Sequence, residues 1–279
     1  MFLKFINKIP TWFERAKIVA FFKHPLSRQA QKKYRMELLK PRLVPNPKIQ
    51  PIDHKKIPIY IIVYNQLKYL KQLVAFLENY GLKNIHFIDN ASTYEPLLEY
   101  LSKTKYTVHR MDKNWGHNVF TESGYFDDVI RNQYYVLTDP DVMPDAGCPK
   151  DFLADFYEIL HSYDSVNKVG CALARDNIAK RFEYVLKIEN RYYLPECRLY
   201  HGSGLELYHA PIDTTFALYR PRSRIRGDIH FLHSGIRVAG KYTARHLPWH
   251  EAAQDDEMAQ YIETSNASST MARKTKGKK

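Results

Sequence analysis

Apolar residues gather most densely just after Ile57, where Ile59-Tyr60-Ile61-Ile62-Val63 form an unbroken, β-branched run. A run with no polar alternation predicts a strand buried on both faces, as in a parallel sheet. The period then changes. Leu67, Leu70, Val74 and Leu77 recur at helical spacing, which predicts a helix over about 66–80 that stops at Gly81. Strand patterns follow at 84–88, 106–110 and 133–137, with helical patterns between them around 97–101 and 117–130. The order β-α-β-α-β-α-β predicts an α/β fold, a doubly wound and mainly parallel sheet flanked by helices. Ligands on such sheets bind beyond the carboxyl ends of the strands. Asn65, Asp89, Asn90 and Asp139 fall there. Beyond 141 the pattern predicts a helix over 151–160 and strands at 169–173 and 214–219, while 175–210 has no periodicity that assigns it.

Residues 1–56 differ. Thr11-Trp12-Phe13-Glu14 has capping-box spacing, so Thr11 can start a helix carrying Trp12, Phe13, Ala16, Val19 and Ala20 on one side, with Arg15, Lys17 and Lys23 among them. Aromatic anchors beside cations suit a helix lying in an anionic membrane surface; packing on the core or on a second subunit explains them equally well. Pro41, Pro45, Pro47, Pro51 and Pro58 predict an extended linker. The expected organisation is a basic helical arm and linker over 1–56, one folded domain over 57–262, and a disordered basic tail over 263–279.

The net charge of +12 changes this picture only at the ends. Residues 1–56 carry +11 and 263–279 carry +4, leaving −3 on the body. A nucleic-acid enzyme keeps positive charge in its working groove, so no nucleic-acid partner is expected. Cys148, Cys171 and Cys197 are isolated, which predicts reduced thiols in a cytosolic protein and no zinc site. No run of 18 apolar residues predicts a membrane span, and Lys4, Lys8, Arg15 and Lys17 interrupt the start too often for a signal peptide.

Candidate chemistry centres on Asp139-Pro140-Asp141. Side chains at i and i+2 of an extended chain point the same way. Two carboxylates aimed at one spot repel unless a cation lies between them, and such hard oxygen ligands suit Mg²⁺ or Mn²⁺. A solvated acidic turn is the plain alternative.

With this motif in place the chain resembles bacterial glycosyltransferases of the GT-A fold, particularly the family-2-like group. Ile59-Tyr60-Ile61-Ile62-Val63-Tyr64-Asn65 is similar to that family's first strand. Ile88-Asp89-Asn90-Ala91-Ser92 is similar to its second turn, Asn114-Trp115-Gly116-His117 to its Asn-x-Gly segment, and Asp139-Pro140-Asp141 to its DxD motif. The resemblance covers about 57–145 well and runs loosely to about 250. It implies that Tyr64, Asn65, Asp89, Asn90, Asn114 and Gly116 contact a nucleotide-sugar donor, that Asp139 contacts ribose or sugar hydroxyls and helps with metal, and that Asp141 is the main metal ligand. His246 would be a third ligand, Arg237 or Arg245 would neutralise the diphosphate, and Trp249 would pack under a sugar ring or simply in the core. Structural alternatives stand beside these roles: core packing for Tyr64, an Asx turn for Asp89 and Asn90, a plain turn for Asn114 and Gly116. The family's acidic pair for a catalytic base has no convincing counterpart. Asp255-Asp256-Glu257 lies in a polar tail, so Asp213, just before an apolar strand, is the candidate.

The resemblance implies transfer of a sugar, with inversion, to a glycan or lipid-linked acceptor in bacterial lipopolysaccharide or capsule synthesis, at a cytoplasmic site peripheral to the inner membrane. A nucleotidyltransferase would need a glycine-rich basic loop after the first strand, where this chain reads Tyr64-Asn65-Gln66-Leu67.

Overall fold

The apolar run after Ile57 is β1 (Ile59–Val63), buried along its whole length in a computed structural model that describes residues 52–163, 166–199, 204–222, 235–251 and 255–265. The expected helical arm, the linker up to residue 51 and residues 266–279 lie outside the described residues. Residues 52–56, expected to be extended, contain a 3-10 turn (His54–Lys56) that Asp53 caps.

β1 pairs in parallel with β2 (Ile85–Asp89) and β4 (Tyr135–Thr138), and β3 (Thr107–Arg110) adds to β2, also in parallel. A sheet of this kind must be covered by helices. α1 (Lys68–Asn79) buries Tyr69, Leu70, Leu73, Val74 and Leu77, and α2 (Glu95–Lys103) buries Leu97 and Leu101. Tyr60 and Ile62 of β1 pack with Val119, Phe120, Phe126 and Ile130. The helix expected over 117–130 is therefore present, but divided into α3 (Val119–Glu122) and α4 (Asp127–Asn132). Gly124 at φ +77° ends the first piece.

The parallel run stops at β4. β5 (Val142–Pro144) leaves the main sheet and α5 (Phe152–Ser162) follows, burying Phe152, Phe156 and Ile159. β6 (Lys168–Cys171) leads to α6 (Glu183–Glu189), then β7 (Arg198–Leu199), β8 (Leu207–His209), β9 (Ala217–Tyr219), β10 (Gly235–Val238) and β11 (Ala244–His246). Among the described residues the main sheet runs β3-β2-β1-β4-β9-β6-β10-β8-β7. β9 is antiparallel to both β4 and β6, and β8 to both β10 and β7. The fold is α/β with helices on a large central sheet that is mixed and mostly parallel, in line with the mainly parallel sheet expected; what the pattern did not announce are the antiparallel pairings of β9, β8 and β7. A strand buried on both faces has the same composition whichever way it points, so its direction leaves no mark in the pattern.

Gly170 of β6 shows how closely β9 lies. A Cβ added there would sit 2.5 Å from Ala217 Cβ and 2.8 Å from the Phe216 carbonyl oxygen. Backbone cannot yield as a side-chain tip can. Gly170→Ala is expected to cost about 1–3 kcal/mol, seen as a lower denaturation midpoint at unchanged m-value.

After β11 the chain forms α7 (Leu247–His250) and α8 (Asp256–Thr264). Asp255-Asp256-Glu257, expected in a polar tail, lies at the start of α8, which runs to Thr264 and so into the stretch expected to be disordered. Asp255 caps α8 by accepting from Met258 N–H at 2.9 Å. Glu257 accepts from the N–H groups of Leu67 and Lys68, each at 3.0 Å, so it caps α1 across the chain. Lys68 Nζ reaches Glu251 and Asp255 at 2.9 Å each. No run of apolar residues announces these contacts, which is why the segment reads as a tail.

On β2 and β3, the rings of His86 and His109 stack, with Nδ1 of the first 3.1 Å from Nε2 of the second. Burial, then the neighbouring imidazole, pushes His86 down to about 4. Burial lowers His109 as well. Both favour the neutral form when folded, so their contribution to stability is whole above the ordinary value near 6.5 and is lost as pH falls toward 4. Melting temperature should drop across that window, and less steeply in His86→Gln.

Candidate functional site

A cavity of about 400 Å³ opens beyond the carboxyl ends of β1, β2 and β4, within the size range of small-molecule sites. Its floor is a hydrogen-bonded unit. Asn90 Nδ2 donates to Asn114 Oδ1 (3.1 Å) and to the Gly116 carbonyl (3.0 Å), and Asn90 Oδ1 accepts from Trp115 N–H (2.9 Å). Gly116 N–H donates to Asn114 Oδ1 at 2.8 Å, and Gly116 takes φ +68°, which favours glycine. All three line the cavity.

Tyr64 also lines it. Its hydroxyl donates to the Thr264 carbonyl at 2.9 Å, and its ring meets Tyr261 edge-on. α8 thus forms one wall of the cavity, with Tyr261 and Ser265 on its surface. Asn65 does not line it. Its φ is +48°; its Oδ1 accepts from Thr93 and Tyr94 N–H (2.7 and 3.0 Å), and its Nδ2 donates to Thr264 Oγ1 (2.9 Å). Asp89 is likewise outside the lining. One oxygen accepts from Ser92 N–H at 3.0 Å and the other lies 3.7 Å from Arg110. Asn65 and Asp89, expected at the donor, here make the bonds of their own turns, as short polar side chains at strand ends commonly do.

At the end of β4 the chain passes through Asp139-Pro140-Asp141 into β5. Asp139 N–H donates to the Thr214 carbonyl at 2.9 Å, and the Thr214 hydroxyl donates to Asp139 Oδ2. Burial first, and the Asp141 carboxylate second, push Asp139 well above the ordinary carboxylate range. Asp141 is placed differently. β5 pairs antiparallel with β11, His246 opposite Val142, and Leu247 N–H donates to the Asp141 carbonyl at 2.9 Å. His246 Nε2 then lies 3.7 Å from Asp141 Oδ1, a buried oxygen with no hydrogen-bond partner among the described residues. The His246 ring stacks on Trp249, centroids 4.2 Å apart.

Among the described residues no three His, Cys, Asp or Glu side chains cluster as a metal site. The expected set of Asp139, Asp141 and His246 is not assembled, since Asp139 is committed to Thr214. Asp141 and His246 do fit a divalent cation: an orphaned carboxylate oxygen beside an imidazole nitrogen, with further positions left to ligand oxygens.

Arg245, expected at the diphosphate, lies outside the lining as well. It alternates with His246 along β11 and so faces away. Its guanidinium is held by Asp145 and Asp176, each at 3.0 Å, and it does not line the cavity. Arg237 does line it, but its charge is matched by Glu189 at 2.6 Å. Asp213 lines the cavity, exposed, and its carboxylate has no hydrogen bond or ion pair among the described residues.

Compared with models of known families and with curated protein sequences, the chain matches none. The chemistry therefore rests on this geometry.

Sequence reasoning missed Gln66, Glu189 and Tyr192, all in the lining. Gln66 is 3% exposed, and its Nε2 has no hydrogen-bond partner among the described residues. Glu189 and Tyr192 fall in the stretch without periodicity, where no signal marked them. Among the described residues no helix is long and apolar enough to cross a membrane.

Proposed function

We propose that the chain is a metal-dependent glycosyltransferase of GT-A type, moving a sugar from a nucleoside-diphosphate sugar to a hydroxyl of a glycan or lipid-linked acceptor. The observation that carries this reading is the orphaned Asp141 oxygen beside His246, at a cavity floored by Asn90, Asn114 and Gly116.

Asp141 and His246 would hold Mn²⁺ or Mg²⁺, which when bound neutralises charge on a leaving diphosphate. Tyr64 offers its ring to the nucleoside, and Gly116 lets the ligand approach backbone closely. Asp139 positions: its bonds to Thr214 tie the 139–141 turn to the loop that carries Asp213. Asp213, whose carboxylate has no partner among the described residues, accepts the proton from the acceptor hydroxyl as that oxygen bonds to the anomeric carbon and the bond from that carbon to the diphosphate breaks. A carboxylate acting as base rather than nucleophile supports inversion. The basic arm over 1–56 supports attachment to an anionic membrane surface, at the cytoplasmic face of a bacterial inner membrane where surface polysaccharide is built.

The test is a thermal-shift screen of nucleoside diphosphates and their sugar conjugates, with and without Mn²⁺. A ligand at a hundredfold excess over its Kd stabilises by about 2.7 kcal/mol. A Mn²⁺-dependent rise with one nucleotide is expected. No rise with any nucleotide would refute the proposal.

A further inference from the structure

The cavity wall made by the end of α6, the 3-10 turn Asn190–Tyr193 and β10 carries polar groups that the transfer chemistry above does not use. Glu189 and Arg237 are 5% and 4% exposed. Arg237 Nη1 donates to Glu189 Oε2 at 2.6 Å, and Arg237 Nε donates to the Pro211 carbonyl at 2.8 Å. The guanidinium lies 4.6 Å from the centroid of the Tyr192 ring. These bonds leave Arg237 Nη2 and Glu189 Oε1 without a partner among the described residues, and neither atom is sealed inside the protein. Pro211, which anchors Arg237, stands two residues before Asp213, and both line the same cavity.

A buried ion pair is a poor stabilising device, because an apolar pair of the same size does as well or better. This one instead borders a cavity with one donor and one acceptor unused. The pair is neutral overall, so it does not attract a phosphate; the carboxylate repels one. A donor and an acceptor side by side match the adjacent hydroxyls of a sugar ring, and the nearby Tyr184 and Tyr192 supply ring faces for its C–H surface.

We propose that Glu189 and Arg237 bind adjacent hydroxyls of an uncharged saccharide, Glu189 Oε1 accepting and Arg237 Nη2 donating, and so set which sugar the cavity takes. The inference rests on the transferase reading for the source of that sugar, which is either the donor's transferred ring or the acceptor. The variant Glu189→Leu/Arg237→Met removes both polar heads and leaves no unpaired buried charge.

Two arms separate the sources. Calorimetry compares uridine and guanosine diphosphates with their glucose and mannose conjugates, in Mn²⁺. An array of neutral oligosaccharides is probed with the full chain. The double variant should lose saccharide-dependent affinity by roughly tenfold or more while binding of the diphosphate alone is unchanged. A loss confined to the conjugates places the wall on the donor sugar, and a loss confined to the array places it on the acceptor. Should the double variant fail to fold, Glu189→Gln is read instead; it keeps a bond to Arg237 but presents a weaker acceptor. Equal saccharide binding by wild type and variant, or none by wild type in either arm, overturns the inference. Saccharide binding lost in the variant, with no diphosphate bound by either protein, supports the inference and refutes the transferase reading.

Discussion

Asp141→Ala is expected to reduce sugar transfer by about a thousandfold or more and to abolish the Mn²⁺-dependent part of nucleotide binding. A metal ion acting as a Lewis acid contributes several kcal/mol to the transition state, and each 1.36 kcal/mol is a factor of ten. The same change should not destabilise the metal-free protein. Asp141 Oδ1 is buried without a hydrogen-bond partner among the described residues, which costs about 1–3 kcal/mol in the native state. Its charge also disfavours ionisation of buried Asp139. Removing it relieves both terms, so the melting temperature without metal should stay level or rise. Loss of function with stability held or gained is the mark of a site residue kept at a cost to the fold. A melting temperature that fell together with activity would mean that Asp141 serves structure instead.

The second large effect lies on the opposite chemistry. Glu189→Ala should destabilise the protein by about 3–5 kcal/mol, because it leaves the Arg237 guanidinium buried without its counter-charge. At about 2–4 °C per kcal/mol for a domain of this size, the melting temperature falls by roughly 6–20 °C. Exposed pairs behave otherwise. Lys103 and Glu99, 73% and 66% exposed at their side chains, contribute at most about 1 kcal/mol, and salt screens them. Glu189→Leu/Arg237→Met should recover most of the loss. Thermal melts of the wild type and the two variants decide the matter, and equal losses in the single and double variants would contradict it.

The first half of the fold was legible because its elements are long and strongly patterned. β1, α1, β2 and β4 emerge from apolar runs and helical spacing alone, and Asp139 to Asp141 sits at the end of β4 as expected. What stayed hidden is short or non-local. β5 and β11 are three residues each, too brief for a period, yet they bring His246 to Asp141. The reversal of β9 leaves no compositional trace. Side-chain direction was hidden as well: Arg245 and His246 are neighbours in sequence, but strand alternation sends one to Asp145 and Asp176 and the other to the cavity. Asn65 and Asp89 looked like ligand contacts because their positions at strand ends are right; only the bonds to Thr93, Tyr94 and Ser92 show that their own loops claim them.

The most direct test of the metal-centred account is anomalous diffraction from crystals grown with Mn²⁺ and a nucleoside diphosphate. The account predicts a manganese peak coordinated by Asp141 Oδ1 and His246 Nε2, with diphosphate oxygens completing the shell and the nucleoside over Asn90, Asn114 and Gly116. Nucleotide bound in the cavity with no manganese at Asp141, or manganese bound only elsewhere, would contradict it.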